Sequence, residues 1–400
     1  MALPLLLISV FASVWLALGM DPAYAALFGD FGGLWLIVLT RKIQWILLIL
    51  TLLPCLVLIV IVSMNKARVM WLLGLSIVVG MLFFRFSANS RKPVRVLEAA
   101  SMPTLAEAKL DSDDEYVVGV VLGDQAFAFP YRGLYRTPIV QLTDFDRRLV
   151  LIHSPHANTA SALETTREVR ASDLEYIAQP ANSTLVYNRK YGEFIVGLTG
   201  KTVDGLMPTG VRNFLPTYRM PLMLWRRLYP QSKLMVLTQR DMGFPGVPLK
   251  PKYPPTLQDD SLPAETPILL LRTDPPAALL MGNYEKPTYV RVGQTPIVIW
   301  SDHGQIRAFQ RTVDTDLFLT FEVRQNRQGV EQLVDRQTGS VWTFSGRSVQ
   351  GPLKGKQLTP VVLEENVYWG VSREWFSDLR LIRPENWDLP SLGLLRDLHR

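Results

Sequence analysis

Three runs before residue 88 are too long and too apolar for most folds in water: LPLLLISVFASVWLALGM (3–20), IQWILLILTLLPCLVLIVIV (43–62) and VMWLLGLSIVVGMLFF (69–84). Each approaches the length an α-helix needs to cross a hydrocarbon core of roughly 30 Å, and none carries a charge. Residues 1–88 therefore read as a transmembrane helical region, with spans near 3–20, 43–62 and 69–86. AALFGDFGGLWLIVL (25–39) is a fourth candidate; Asp30 and the pair Gly32-Gly33 suit a re-entrant or interfacial helix as well as a span. No basic residue precedes the first run and no small-residue cleavage site follows it, which argues against a cleaved signal peptide. Basic residues gather at Arg41 and Lys42, at Lys66 and Arg68, and at Arg85, Arg91, Lys92 and Arg95. The last group favours the cytoplasm by the positive-inside rule and accounts for part of the net charge of +6.

Residues 89–110 form a juxtamembrane linker, and the texture changes at 111. Short apolar runs separated by Gly, Asp, Asn and Pro (YVVGVVL, QAFAFP, RLVLIH, STLVYN, EFIVGL) predict antiparallel strands, interrupted by a helix at MPLMLWRRLYP (220–230). A proline-rich linker at 241–265 follows, and strand texture then resumes. LVLIHSPH (149–156) aligns with PIVIWSDH (296–303), and LVYNRKYGEFIVGLTGKTVDG (185–205) with LVDRQTGSVWTFSGRSVQG (333–351), at one common offset. The fold class expected is thus membrane-anchored: transmembrane α-helices followed by a mainly β (α+β) soluble region of two related antiparallel units. Copy 1 covers 111–240, copy 2 covers 266–386, and a tail occupies 387–400. Charges alternate in sign along this region with no basic block, which excludes a nucleic-acid surface. Cys55, inside an apolar run, is the single cysteine, so neither an intramolecular disulfide nor a cysteine metal site can form.

In VDRQTGSVWTFSGRSVQGPLKG (334–355), Gly339, Gly346, Gly351 and Gly355 punctuate turns where glycine supplies positive φ, and Asp335 is placed to cap the first. Trp342 is expected to pack on the helix bearing Trp369 and Trp375. A sharper reading sets Asp335, Arg336 and Trp342 around a ligand pocket, with Arg336 as an anion or carboxylate fork and Arg132 and Arg189 as further ligand-binding positions.

The stretch 333–358 resembles the C-terminal motif of a family catalogued as a domain of unknown function, DUF3179: D-R-x-T-G-S-x-W, then G-x-x-x-x-G-P-L-x-G. Asp335, Arg336, Thr338, Gly339, Ser340, Trp342, Gly346, Gly351, Pro352, Leu353 and Gly355 carry the match. Residues 117–163 resemble the family's earlier part, where Y-P-x-R, H-E-I-V-N-D and C-P-L-C-x-T-A are usual, and the likeness spans most of 116–385. Phe129, Pro130 and Arg132 keep the first element, and Ile139 and Val140 the middle of the second. The family's His-Glu becomes Thr137 and Pro138, and its cysteines become Ser154 and Ala157. Thiol-dependent metal or redox chemistry implied by the resemblance is therefore absent.

No cofactor is expected. His153 and His156, with His303 if the copies face each other, are the alternative site for zinc or another transition metal. G-x-S-x-G, Walker, H-E-x-x-H and G-x-G-x-x-G signatures are missing. The expected function is a non-catalytic binding or scaffolding role in the cell envelope, with the bilayer and an unidentified protein or small molecule as partners. One alternative is an enzyme or metal module built from His156, His303, Asp335 and Arg336; another is a transport or signalling accessory that uses Asp30. The resemblance implies export, so a multi-pass protein with an extracytoplasmic soluble region is expected.

Overall fold

The structure, a computed structural model, describes residues 2–28, 30–63, 68–88, 94–108, 115–144, 147–252, 261–302, 305–313, 317–325 and 331–384. The chain divides into two compact units. Unit 1 comprises Met1–Glu98, Leu134–Arg212 and Leu249–Gln258; unit 2 comprises Ala99–Gly133, Asn213–Pro248 and Asp259–Arg400. Residues 111–240 thus contribute to both.

Unit 1 begins with helices α1 (Ala2–Leu18), α2 (Pro22–Ala25), α3 (Asp30–Ser63) and α4 (Arg68–Ala88). The candidate at 25–39 is not a helix of its own: its second half is the opening of α3, which runs unbroken through 43–62 for 34 residues, about 50 Å. Leu34 to Thr40 continue the helical turn into Arg41, so no break separates the two apolar runs. Among the described residues α3 alone is long and apolar enough to cross a membrane, over Gly33–Ile61. α1 and Pro22–Phe28 form a pair bent by 106°, and Leu72–Arg85 is a shorter apolar stretch. Ala12, Leu16 and Leu47 pack together with Ile43 and Leu82 around them. Close approach depends on small residues: a Cβ on Gly19 would sit 2.5 Å from Thr40 Oγ1, and one on Gly74 2.5 Å from Leu6.

The rest of unit 1 is two sheets. Sheet A orders Arg95–Glu98, Ile139–Thr143, Arg148–Ser154, Thr159–Thr165 and Val211–Leu215, with the first pair parallel. The short helix α5 (Tyr131–Arg136) precedes its second strand in the chain. Sheet B is an antiparallel meander of Leu174–Ala178, Leu185–Asn188 and Glu193–Val196.

Among the described residues unit 2 holds four four-stranded sheets and a two-stranded one, Thr312–Val313 with Leu317–Phe318. Sheet C orders Thr217–Pro221, Tyr116–Leu122, Gln125–Pro130 and Lys233–Leu234; sheet D orders Leu363–Tyr368, Pro267–Leu271, Ala277–Leu280 and Arg380–Leu381. Both run antiparallel, antiparallel, parallel. Helix α6 (Leu222–Leu228) precedes the parallel edge of sheet C, and α7 (Trp369–Trp375) that of sheet D. Sheet E orders Thr288–Val292, Thr295–Asp302, Gln305–Gln310 and Pro360–Val361; sheet F orders Phe321–Gln325, Glu331–Asp335, Val341–Trp342 and Ser348–Gln350.

Strand alternation builds the unit 2 core. On Thr295–Asp302, Ile297 and Ile299 join Leu269, Leu271 and Tyr284, while Val298 and Trp300 turn to Phe309, Phe321 and Trp342. Trp342 therefore packs edge-on to Phe321, with ring centroids 5.8 Å apart, and not on α7 as expected; Trp369 belongs to a separate cluster with Ile268, Leu270 and Val367. In sheet C, Gly119 interrupts YVVGVVL because the Trp225 ring of α6 fills the place of a Cβ, 2.2 Å away. The proline-rich segment is not a free linker at its start, where the Gly246 carbonyl accepts from Tyr116 N; its residues 253–260 lie outside the described residues.

Candidate functional site

The D-R-x-T-G-S-x-W motif closes a turn of sheet F. Asp335 is fully buried, and its Oδ1 accepts from Thr338 N at 2.6 Å and Thr338 Oγ1 at 2.9 Å. Oδ2 accepts from Ser340 N at 3.1 Å and Trp342 Nε1 at 2.9 Å. Gly339, at φ +70°, donates its N–H to the Asp335 carbonyl. Ser340 Oγ then accepts from Leu353 N at 3.0 Å, and Gly351, at φ +96°, lies so close that a Cβ would stand 2.7 Å from Ser340 Cα. Carboxylate, hydroxyls, indole and glycines are thus parts of one fastening. Arg336 points away, 62% exposed, and pairs with Glu322 at 2.7 Å; hydrogen bonds from Arg324 and Arg336 hold the Glu322 carboxyl below its ordinary range.

The other sequence-derived positions are also engaged. Arg132 Nε binds Glu115 Oε2 at 2.7 Å, and its Nη1 donates to the Phe244 carbonyl at 2.8 Å. Arg189 donates to the Ser172 carbonyl. Ser154, where the family has its first cysteine, is fully buried at the end of its strand, and its Oγ accepts from Thr184 N at 3.0 Å. Ala157, at the second, is buried in the turn that follows. His153 is fully buried, 5.5 Å from the Tyr135 ring, and faces no solvent. His156 Nδ1 lies 2.9 Å from the Lys250 carbonyl. His303 and the side chain of Asp30 lie outside the described residues. Among the described residues no three of His, Cys, Asp and Glu gather in a way that would hold a metal ion.

An arrangement that sequence reasoning missed lies in unit 2. Arg219 sends Nη1 to Glu364 Oε2 at 2.8 Å and Nε to the Glu365 carbonyl at 3.0 Å, while Arg272 closes on the other Glu364 oxygen. The Arg219 and Glu364 side chains are each 1% exposed. Such a pair is retained only when every charge finds a partner, because desolvation costs several kcal/mol per ion. Next along the strand, Glu365 accepts from Ile306 N at 3.3 Å; burial pushes its carboxyl up to about 7, with Ile306 N–H and Arg219 opposing. Tyr218 is pushed up to about 12 by burial, with Arg307 opposing. Arg307 donates to Tyr229 Oη at 2.6 Å and lies 5.8 Å from the Tyr218 ring centroid. Of these groups Tyr218 and Arg307 line a cavity of about 190 Å³, together with Val121, Phe309, Gln357 and Val361, among others. The signal in sequence was the pair Glu364-Glu365 inside VVLEENVYW, since adjacent acids in an apolar strand must be exposed or neutralised.

The class defined by these observations is a mainly β protein of several small sheets preceded by apolar helices, its longest motif serving as a structural clasp. The chain belongs to the family described as "Protein of unknown function (DUF3179)", whose model matches residues 97–376. No curated protein and no solved structure matches it.

Proposed function

We propose that the chain is a membrane-anchored, non-catalytic binding module of the cell envelope. The observation that carries this reading is the state of Asp335: the motif's acid is buried and both its oxygens are engaged by its own turn, so this carboxylate is committed to structure and not to proton transfer or metal ligation. Arg132, Arg189 and Ser154 are likewise engaged in holding loops. A cavity with a cationic and aromatic border fits binding better than catalysis. Elemental analysis of the purified full chain should find it metal-free; stoichiometric zinc that disappears in His156→Ala would overturn the reading.

Anchoring is supported by more than length. On α1, Phe11 is 65% exposed; on α3, Trp45 is 68%; on α4, Phe83 is 71%, each amid other exposed Leu, Ile and Val. An apolar belt on three packed helices is far beyond the patches that a soluble surface carries, and it matches lipid. We read α1, α3 and α4 as three passes. The chain should stay in the membrane pellet through an alkaline carbonate wash, and release by that wash would refute anchoring. The extracytoplasmic placement implied by the resemblance predicts that a periplasm-active phosphatase reporter fused after Arg400 is active.

The soluble region is proposed to be a duplication. Sheets C and D share order and direction, α6 and α7 start 147 positions apart at Leu222 and Trp369, and the same spacing separates Lys233 from Arg380 and Leu174 from Phe321. Turns also match: Gly192 and Gly339 both sit at φ +70° and both donate to the carbonyl four residues back.

A further inference from the structure

The cavity of unit 2 gives the binding reading a specific ligand class. Its walls are apolar, from Val121, Pro216, Ile306, Phe309, Val361 and Leu363, and Phe309 and Tyr218 supply aromatic surface. Polar groups enter at Arg307, Ser345 and Gln357. Arg307 is held in place by its bond to Tyr229 Oη and by the Tyr218 ring, so its guanidinium is oriented before any ligand arrives. Glu365 and Arg219 stand behind this wall, linked to it through Ile306 N and the Glu365 carbonyl. Burial raises Glu365 to about 7, so near neutral pH the negative charge behind the wall is incomplete and opposes an anion less than a full carboxylate would.

We propose that this cavity binds a small monocarboxylate with a flat apolar body, its carboxylate at Arg307 and its ring against Phe309. Volume limits the size: about 190 Å³ is below the range of drug-sized pockets, so the ligand is a compact one. A guanidinium prefers the planar, two-oxygen carboxylate, and Gln357 and Ser345 add polar lining to the same cavity. The proposal rests on the binding-module reading and deepens it.

The test is titration calorimetry of the detergent-solubilised full chain with benzoate, and with benzamide as its neutral counterpart. Saturable benzoate binding is expected, at least ten-fold weaker for benzamide and for Arg307→Gln, and lost in Ser345→Trp, where an exposed turn residue fills the mouth of the cavity. Unchanged thermal melting of both variants shows that they remain folded; if Arg307→Gln melts early, the benzoate-to-benzamide ratio alone decides. Benzamide binding as tightly as benzoate overturns the monocarboxylate assignment and leaves the binding module standing. No saturable binding of either overturns the cavity as the module's site.

Discussion

Asp335 shows how one buried acid can hold a turn without chemistry. Asp335→Ala would strand the Trp342 indole N–H and the Ser340 and Thr338 amides away from water, at a cost of about 3–5 kcal/mol, read as a lowered denaturant midpoint. Gly351→Ala should also destabilise, by more than the roughly 1 kcal/mol typical of a positive-φ glycine, because its new Cβ meets Ser340 as well. Gly339→Ala, with open space around it, should cost only the backbone strain. An equal loss at both glycines would show that Ser340 gives way. These roles were legible in the sequence as far as they are local: glycine spacing and an acid just ahead of a turn indicate turns and a cap. The partner of Trp342 was not legible. Phe321 reaches it only through strand pairing, Phe321 opposite Asp335 and Leu333 opposite Trp342, which no local pattern specifies. Arg132 and Arg189 read as ligand-binding positions for the same reason, since the carbonyls they bind belong to distant or irregular segments.

At the scale of the element, the strand Leu363–Tyr368 carries the least expected feature, two adjacent buried glutamates. Glu364 is neutralised by Arg219 and Arg272, and Arg219→Ala should cost about 3–5 kcal/mol by leaving part of that charge unpaired. Glu365 predicts a pH dependence. Its folded carboxyl titrates near 7 against an ordinary 4.5, so between those values the folded chain holds a proton that the unfolded chain has released. Stability should therefore fall as pH rises from about 4.5 to about 7, by on the order of 3 kcal/mol, and level off above. Glu365→Gln should flatten that slope in melting curves; a slope unchanged in the variant assigns the effect elsewhere. The paired turns allow a test of the duplication. Asn188→Asp, Lys190→Gln and Tyr191→Thr together write the second turn into the first, and melting should shift by only a few degrees, because both turns close on the same backbone bond. Strand texture and the α6 helix were readable in the sequence. The ionic pair was not, since an acid in a strand looks alike whether solvent or arginine answers it.

For the whole molecule, the telling contact is Arg41 of α3, which reaches Glu175 of sheet B at 2.5 Å and lies 4.7 Å from the Tyr187 ring centroid, all within unit 1. Each charged side chain is 9% exposed. An arginine tied to a sheet cannot lie at the depth of the acyl chains, so on the proposed anchoring the hydrocarbon boundary falls at Arg41. Ile43–Ser63 then remains, about 32 Å of helix, which suits a bilayer core of roughly 30 Å. The apolar runs made the helices legible in the sequence, and Asp30 with Gly32-Gly33 already set 25–39 apart from 43–62, but the place of this boundary rests on the Glu175 contact. Two exposed positions on the same helix separate the halves: Trp35 lies before the boundary and Ile49 beyond it. Trp35→Arg should leave the amount of protein in the membrane fraction nearly unchanged. Ile49→Arg places a charge facing lipid at a cost of about 2.5–3.5 kcal/mol and should lower that amount several-fold. Equal losses at both positions would place Trp35 in lipid as well and move the boundary towards the start of α3, where Arg41 and Glu175 would have to be buried together at membrane depth.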